Sequence, residues 1–87
     1  MIKLTLITAV WCPSCLIMRP RYQTFISKNP EIDFKELDFD TDDAMVRKLS
    51  VGKTLPVAII EDERHELLRI VGEKSAHEIE RLLKPCL

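Results

Sequence analysis

The sequence predicts an α/β fold: one four-stranded mixed sheet flanked by three helices, in the order β-α-β-α-β-β-α. Three observations carry that reading. The first half alternates short apolar, β-branched runs with segments at helical spacing, the pattern of a βαβ unit. The second half holds two strand-like runs separated only by a polar turn, the pattern of a hairpin. A capping pair then opens a final amphipathic segment. A right-handed crossover makes the first two strands parallel and the hairpin makes the last two antiparallel, so the sheet is mixed.

Ile2 to Ala9 is apolar and β-branched with no Gly or Pro, and reads as a buried strand. Pro13 suits the first position of a helix. From Ser14 to Lys28, Leu16, Ile17, Tyr22, Phe25 and Ile26 supply apolar residues at mostly helical spacing. Pro20 lies inside that helix, lacks an amide proton and is expected to kink it. Asn29-Pro30-Glu31 marks a turn. Ile32 to Asp40 reads as the second strand, with Phe34, Leu37 and Phe39 as its apolar content. Thr41 is expected to cap a short helix, Asp42 and Asp43 complementing its dipole and Met45, Val46 and Leu49 forming its apolar side. Gly52 and Lys53 lead into Leu55–Ile60, a third strand opened by Pro56. Glu61–Arg64 is a polar turn and Glu66–Val71 the fourth strand, ended by Gly72. Ser75 and Glu78 fit a capping box, with Ile79, Leu82 and Leu83 on one face of the last helix.

Eighty-seven residues make one domain, 1–87, without internal repeat or linker. The chain is 46% hydrophobic and 31% charged, the balance of a globular fold that needs no disulfide staples. A formal net charge of -1 with mixed signs excludes an electrostatic case for nucleic acid or a membrane surface. No apolar run approaches the about 20 residues of a membrane span. The N-terminal residues lack the features of a secretory leader. A cytoplasmic monomer is expected, in a compartment where thiols are kept reduced. There, a close cysteine pair serves catalysis or metal binding rather than a permanent staple.

Trp11-Cys12-Pro13-Ser14-Cys15 is that pair. Cys12 falls at the helix N-cap, where the unpaired amides of the first turn can hydrogen-bond a thiolate. This makes Cys12 the attacking nucleophile. Cys15, one turn further in and more buried, resolves the mixed disulfide. Zinc is the rival reading, but it usually takes four ligands, and only the scattered Cys86, His65 and His77 remain. No metal is expected, and no organic cofactor, because two sulfurs carry the chemistry. Cys86 reads as a free terminal thiol, and His65 and His77 as surface residues.

With these residues in view, the chain resembles small thioredoxin-fold oxidoreductases of the thioredoxin/glutaredoxin superfamily along nearly its whole length. The likeness rests on the strand–Cys12-Pro13-Ser14-Cys15–helix arrangement, Pro20, Leu55-Pro56 and Val71-Gly72. Trp11 and Ile70–Ser75 resemble thioredoxins; the start directly at the first strand resembles glutaredoxins. The resemblance implies a reductase of protein disulfides. It implies a cis Leu55-Pro56 bond facing the cysteines, with Leu55 presenting its backbone to an extended substrate. Trp11, Pro13 and Gly72 complete the implied substrate-binding surface. The implied electron donor is external, a thioredoxin reductase-like flavoprotein or glutathione. Two alternatives stay open: a glutaredoxin-like reductant dedicated to one enzyme such as ribonucleotide reductase, and a non-enzymatic redox-sensing or binding module. The sequence departs from its relatives at three places. Ser14 replaces the aromatic residue usual between glutaredoxin cysteines, Gly72 stands alone where they have a glycine pair, and Leu6 occupies the place of the thioredoxins' buried acid. Glu36, on the neighbouring strand, is the candidate acid for proton transfer, against the plainer reading of a solvent-facing glutamate. Lys53, Arg19 and Arg21 read as solvated side chains.

Overall fold

The computed structural model describes residues 1–87. Strand β1 (Lys3–Thr8) is buried at every position but the first, as its unbroken apolar run requires. It is followed by helix α1 (Pro13–Lys28), strand β2 (Asp33–Asp38), helix α2 (Asp43–Lys48), strands β3 (Val57–Glu61) and β4 (Glu66–Val71), and helix α3 (Ala76–Leu83). A 3-10 turn, Lys84–Cys86, closes the chain. The sheet order is β2-β1-β3-β4. β1 runs parallel to β2 and antiparallel to β3, and β3 and β4 form the antiparallel hairpin. The sheet is mixed and flanked by three helices, as the sequence predicts. No helix is long and apolar enough to cross a membrane.

Alternation along β1 divides the core in two. Leu4 and Leu6 join Ala58, Ile60 and Ile70 under α1 and α3, which contribute Met18, Tyr22, Phe25, Ile79 and Leu83. Ile7 points the other way, with Val57, Ile59, Leu37 and Val46 of α2, and this second cluster also holds Cys12, Cys15 and Leu55.

Two expectations are corrected, the apolar face of α1 and the cap of α2. The buried stripe of α1 is Cys15, Met18, Tyr22 and Phe25, spaced by three and four residues. Leu16 and Ile17 fall off that stripe and are exposed, so they are surface residues despite their apolar type. Pro20 sits within a helix that continues from Pro13 to Lys28. The carbonyl its missing N–H leaves free belongs to exposed Leu16. Finally, Asp42 rather than Thr41 occupies the N-cap of α2, and its side chain makes no cap bond. The acidic loop bonds to itself instead. The Asp38 carboxylate accepts the N–H groups of Asp40 and Thr41 at 2.9 and 3.0 Å, and Asp42 accepts that of Asp38 at 2.8 Å. Those amides hold the Asp38 carboxyl below its ordinary value.

Ser75 caps α3, its hydroxyl accepting the Glu78 N–H at 3.1 Å. The Glu78 carboxylate turns to Arg81, so half of the expected capping box forms. Arg69 of β4 pairs with Glu66 and donates to the Leu49 and Ser50 carbonyls at 2.8 and 3.2 Å. It thereby fastens the exit of α2 to the sheet.

Tyr22 is fully buried and its hydroxyl has no hydrogen-bond partner. Burial accordingly raises the pKa of the phenol above its ordinary value. A buried polar group without a partner costs about 1–3 kcal/mol. Tyr22→Phe is therefore expected to stabilise the fold by about 1 kcal/mol, read as a higher urea midpoint at unchanged slope.

Candidate functional site

β1 ends at Thr8, and the chain turns back on itself before α1: the Cys12 N–H donates to the Ala9 carbonyl at 3.2 Å. Cys12 then takes extended dihedrals, φ -97° and ψ 109°, and becomes the N-cap, with Pro13 as the first helical residue. Its Sγ accepts the Cys15 N–H at 3.2 Å, so a sulfur does what a serine oxygen usually does at a helix start. Both thiols are free and buried, Cys12 to 6% exposure and Cys15 to 1%. Burial, reinforced by a hydrogen bond to Cys12, pushes the Cys15 thiol up to about 11. The pair is thus unequal: one sulfur at the helix entrance accepting the Cys15 amide, the other held protonated one turn further in.

The residues singled out from the sequence come from three segments of the chain. Trp11 is 55% exposed. Its indole Nε1 donates to Asp40 Oδ2 at 2.8 Å and its ring meets Phe39 edge-on at 6.0 Å. The Leu55-Pro56 peptide is cis, and Leu55 packs in the same apolar cluster as the two cysteines. Gly72 has φ +82°, a conformation that favours glycine, and its N–H donates to the Pro56 carbonyl at 2.9 Å. The glycine thereby ties the loop after β4 to the proline loop. Pro13 opens α1 directly after Cys12.

Other side chains of the site are not where the sequence reading left them. Glu36 makes no hydrogen bond to either thiol: its Oε2 accepts from Thr8 Oγ1 and from Arg19 Nε, both at 2.8 Å. It is an exposed glutamate, as the plainer reading has it, but not a free one. Arg19 and Arg21 are likewise not plain solvated residues. Arg21 donates to the Lys74 carbonyl at 2.8 Å, and Met18 Sδ accepts the Lys74 N–H at 3.4 Å, so α1 holds the loop that carries Gly72. Lys53, His65 and His77 are exposed. Cys86 is free but half-buried against the first core cluster, its thiol directed at the Leu82 carbonyl. No three His, Cys, Asp or Glu side chains lie close enough together to share a metal ion.

Ser14 was read only as a departure from related motifs, yet its hydroxyl donates to Glu73 Oε2 at 2.7 Å. That bond spans 59 residues, and the Trp11–Asp40 bond spans 29. Neither partner is marked by a local pattern.

The sheet order, with a thiol pair capping the helix after its central strand, defines a class: thiol oxidoreductases of thioredoxin-like fold. Comparison with known proteins narrows this. The thioredoxin family model matches residues 2–85, and the chain belongs to the thioredoxin family. Thioredoxin-2 of the malaria parasite is 23% identical, with a TM-score of 0.88 over 98% of this chain and 82% of that one. A thioredoxin of Trypanosoma brucei brucei is 23% identical, with a TM-score of 0.87 over 99% and 74%. A malarial protein, 24% identical with a TM-score of 0.88, covers 100% of this chain and 98% of its own. At this identity the likenesses establish the fold. No curated protein sequence matches the chain.

The unequal thiols are open to direct titration. In a Cys86→Ser background, ultraviolet thiolate absorbance is expected to show a step near pH 11 that disappears in Cys15→Ser. Tyr22, the single tyrosine, is itself raised by burial and does not mask that step. The sign for stability follows from the raised value. Below pH 9 both folded and unfolded chains keep the Cys15 proton; between 9 and about 11 only the folded chain does. The reduced protein therefore loses stability as pH rises through that window, measurable as a falling urea midpoint that Cys15→Ser makes shallower, the raised Tyr22 phenol adding its own fall above pH 10 in both proteins.

Proposed function

We propose that this protein reduces disulfide bonds in other proteins through the Cys12–Cys15 dithiol. The observation that carries the reading is the N-cap: Cys12 Sγ accepts the Cys15 N–H at the positive end of a sixteen-residue helix. A thiolate formed there attacks one sulfur of a substrate disulfide. The substrate's S–S bond breaks, one substrate sulfur leaves as thiolate, and the other is joined to Cys12. Cys15 then loses its proton to solvent and attacks the Cys12 sulfur. This expels the second substrate thiolate and leaves a Cys12–Cys15 disulfide. Two electrons pass to the substrate, and two protons taken from solvent complete its thiols.

The surrounding residues receive roles consistent with their positions. The Leu55 backbone, beside the cis-proline, pairs with an extended substrate segment as a strand edge does. Trp11, Pro13, Pro56 and Gly72 form the rim around the sulfur, with the exposed face of Trp11 available to a partner. Recycling takes an external donor, a thioredoxin reductase-like flavoprotein or glutathione, and we place the protein in the cytoplasm, where such donors are maintained.

Insulin reduction tests the assignment. Cys12→Ser is expected to fall to the uncatalysed background. Cys15→Ser is expected to lose turnover yet accumulate a covalent adduct at Cys12, visible by intact mass. A Cys12→Ser variant as active as the parent would refute the reading. The donor is read separately by comparing turnover with NADPH and thioredoxin reductase against turnover with glutathione. The thioredoxin-like rim leads us to expect the first to be faster.

A further inference from the structure

Leu6 of β1 is fully buried and has no charge to offer the thiols. Its partner across the parallel pairing with β2 is Glu36, and residues so paired share a face of the sheet, here the face under α1. Thr8, two residues on, shares that face and is 3% exposed. Arg19 reaches the same place from α1. The three side chains close a ring: Thr8 Oγ1 to Glu36 Oε2 at 2.8 Å, Arg19 Nε to Glu36 Oε2 at 2.8 Å, and Arg19 Nη2 to Thr8 Oγ1 at 3.3 Å. Each member comes from a different element, and both charged side chains are about two-thirds covered. A partly buried, doubly anchored guanidinium is held in place in a way that a solvated surface arginine is not.

Arg19 lies four residues after Cys15 on α1, one helical turn further along the same side. We infer that Arg19, fixed by Glu36 and Thr8, is a positioning residue for the second step of the reaction: its held positive charge favours the Cys15 thiolate that attacks the mixed disulfide. The thiol is otherwise disfavoured from ionising by its burial and by Cys12, and among neighbouring charged groups Arg19 is the one that opposes them. Glu36 acts through Arg19 rather than on a proton: its oxygen is engaged by the guanidinium and the threonine hydroxyl. The charge this chain brings toward its resolving cysteine thus comes from the helix, anchored on the edge strand, and not from the central strand where Leu6 stands. In the assisted step the Cys15–H proton leaves to solvent, the new bond joins Cys15 and Cys12 sulfurs, and the substrate sulfur departs with the electron pair of the broken bond.

This rests on the Cys12–Cys15 reading, and one experiment separates the two. Reduced protein carrying Cys86→Ser is mixed with one equivalent of Ellman's disulfide and the release of coloured thiolate is followed by stopped flow. The first release reports attack by Cys12; the second reports attack by Cys15. Arg19→Met is expected to slow the second release about three- to tenfold and to move its pH profile upward, with the first release unchanged. Arg19→Lys keeps the charge and is expected to recover most of the rate. Arg19→Gln keeps a donor toward Glu36 without the charge and is expected to stay slow. An unchanged second release, equal slowing of both releases, or full recovery in Arg19→Gln would overturn the inference while leaving the dithiol reading intact. A parent protein with no second release would overturn both. If Arg19→Met does not fold, the contrast between Lys and Gln decides alone.

Discussion

Strand β1 is hydrogen-bonded along both edges and buried on both faces, and the positions of the other elements follow from that constraint. Its parallel edge fixes β2 and, through the crossover, places α1 over one face; its antiparallel edge fixes β3. Its alternation assigns Leu4 and Leu6 to the core beneath α1 and α3, and Ile7 to the core beneath α2. Because β1 is central, the loop that leaves its C-terminal end emerges where β2, β3 and α1 all approach one another. The thiol pair occupies that loop and the first turn after it, so the strand that organises the sheet also delivers the sulfurs to the one place that several segments can surround.

The surround is built from tertiary bonds that tie loops together. Ser14 reaches Glu73, Trp11 reaches Asp40, and Gly72 reaches Pro56. Met18 and Arg21, one and two turns into α1, hold the backbone at Lys74. The rim of the dithiol is therefore fastened both to the helix that carries the cysteines and to the loops after β2, β4 and before β3. Loops on this side are held by side chains of the scaffold, which limits how far the rim can move independently of the sulfurs.

What was legible in the sequence follows from how far each signal travels along the chain. β1, the β3–β4 hairpin and the Ser75 cap are set by residues within a few positions of one another, and their patterns predicted them. The dithiol was legible for the same reason: Cys12, Pro13 and Cys15 lie in one turn of helix. Pairings across the fold were not. Arg19 looks like any helix arginine until β1 and β2 bring Thr8 and Glu36 to it, and Ser14 looks like a spacer until the loop after β4 arrives. Errors within local reach had local physical causes. Leu16 and Ile17 have the right chemistry for a core but the wrong angle on the helix, and the acidic run Asp38–Asp43 satisfies its own amides, displacing the start of α2 by one residue.

Cys12 and Cys15 belong to the same buried cluster as Ile7, Leu37, Val46 and Val57, so the redox couple is part of the hydrophobic core and not an appendage to it. Oxidation replaces two buried thiols by one bond within that cluster, and folding and electron transfer then form a single thermodynamic cycle. Whatever free energy distinguishes the folding of the oxidised chain from that of the reduced chain must equal the displacement of the couple's potential from its value in the unfolded polypeptide. Packing changes around Val46 or Leu37 therefore act on the electron affinity of the protein whenever they favour one oxidation state over the other.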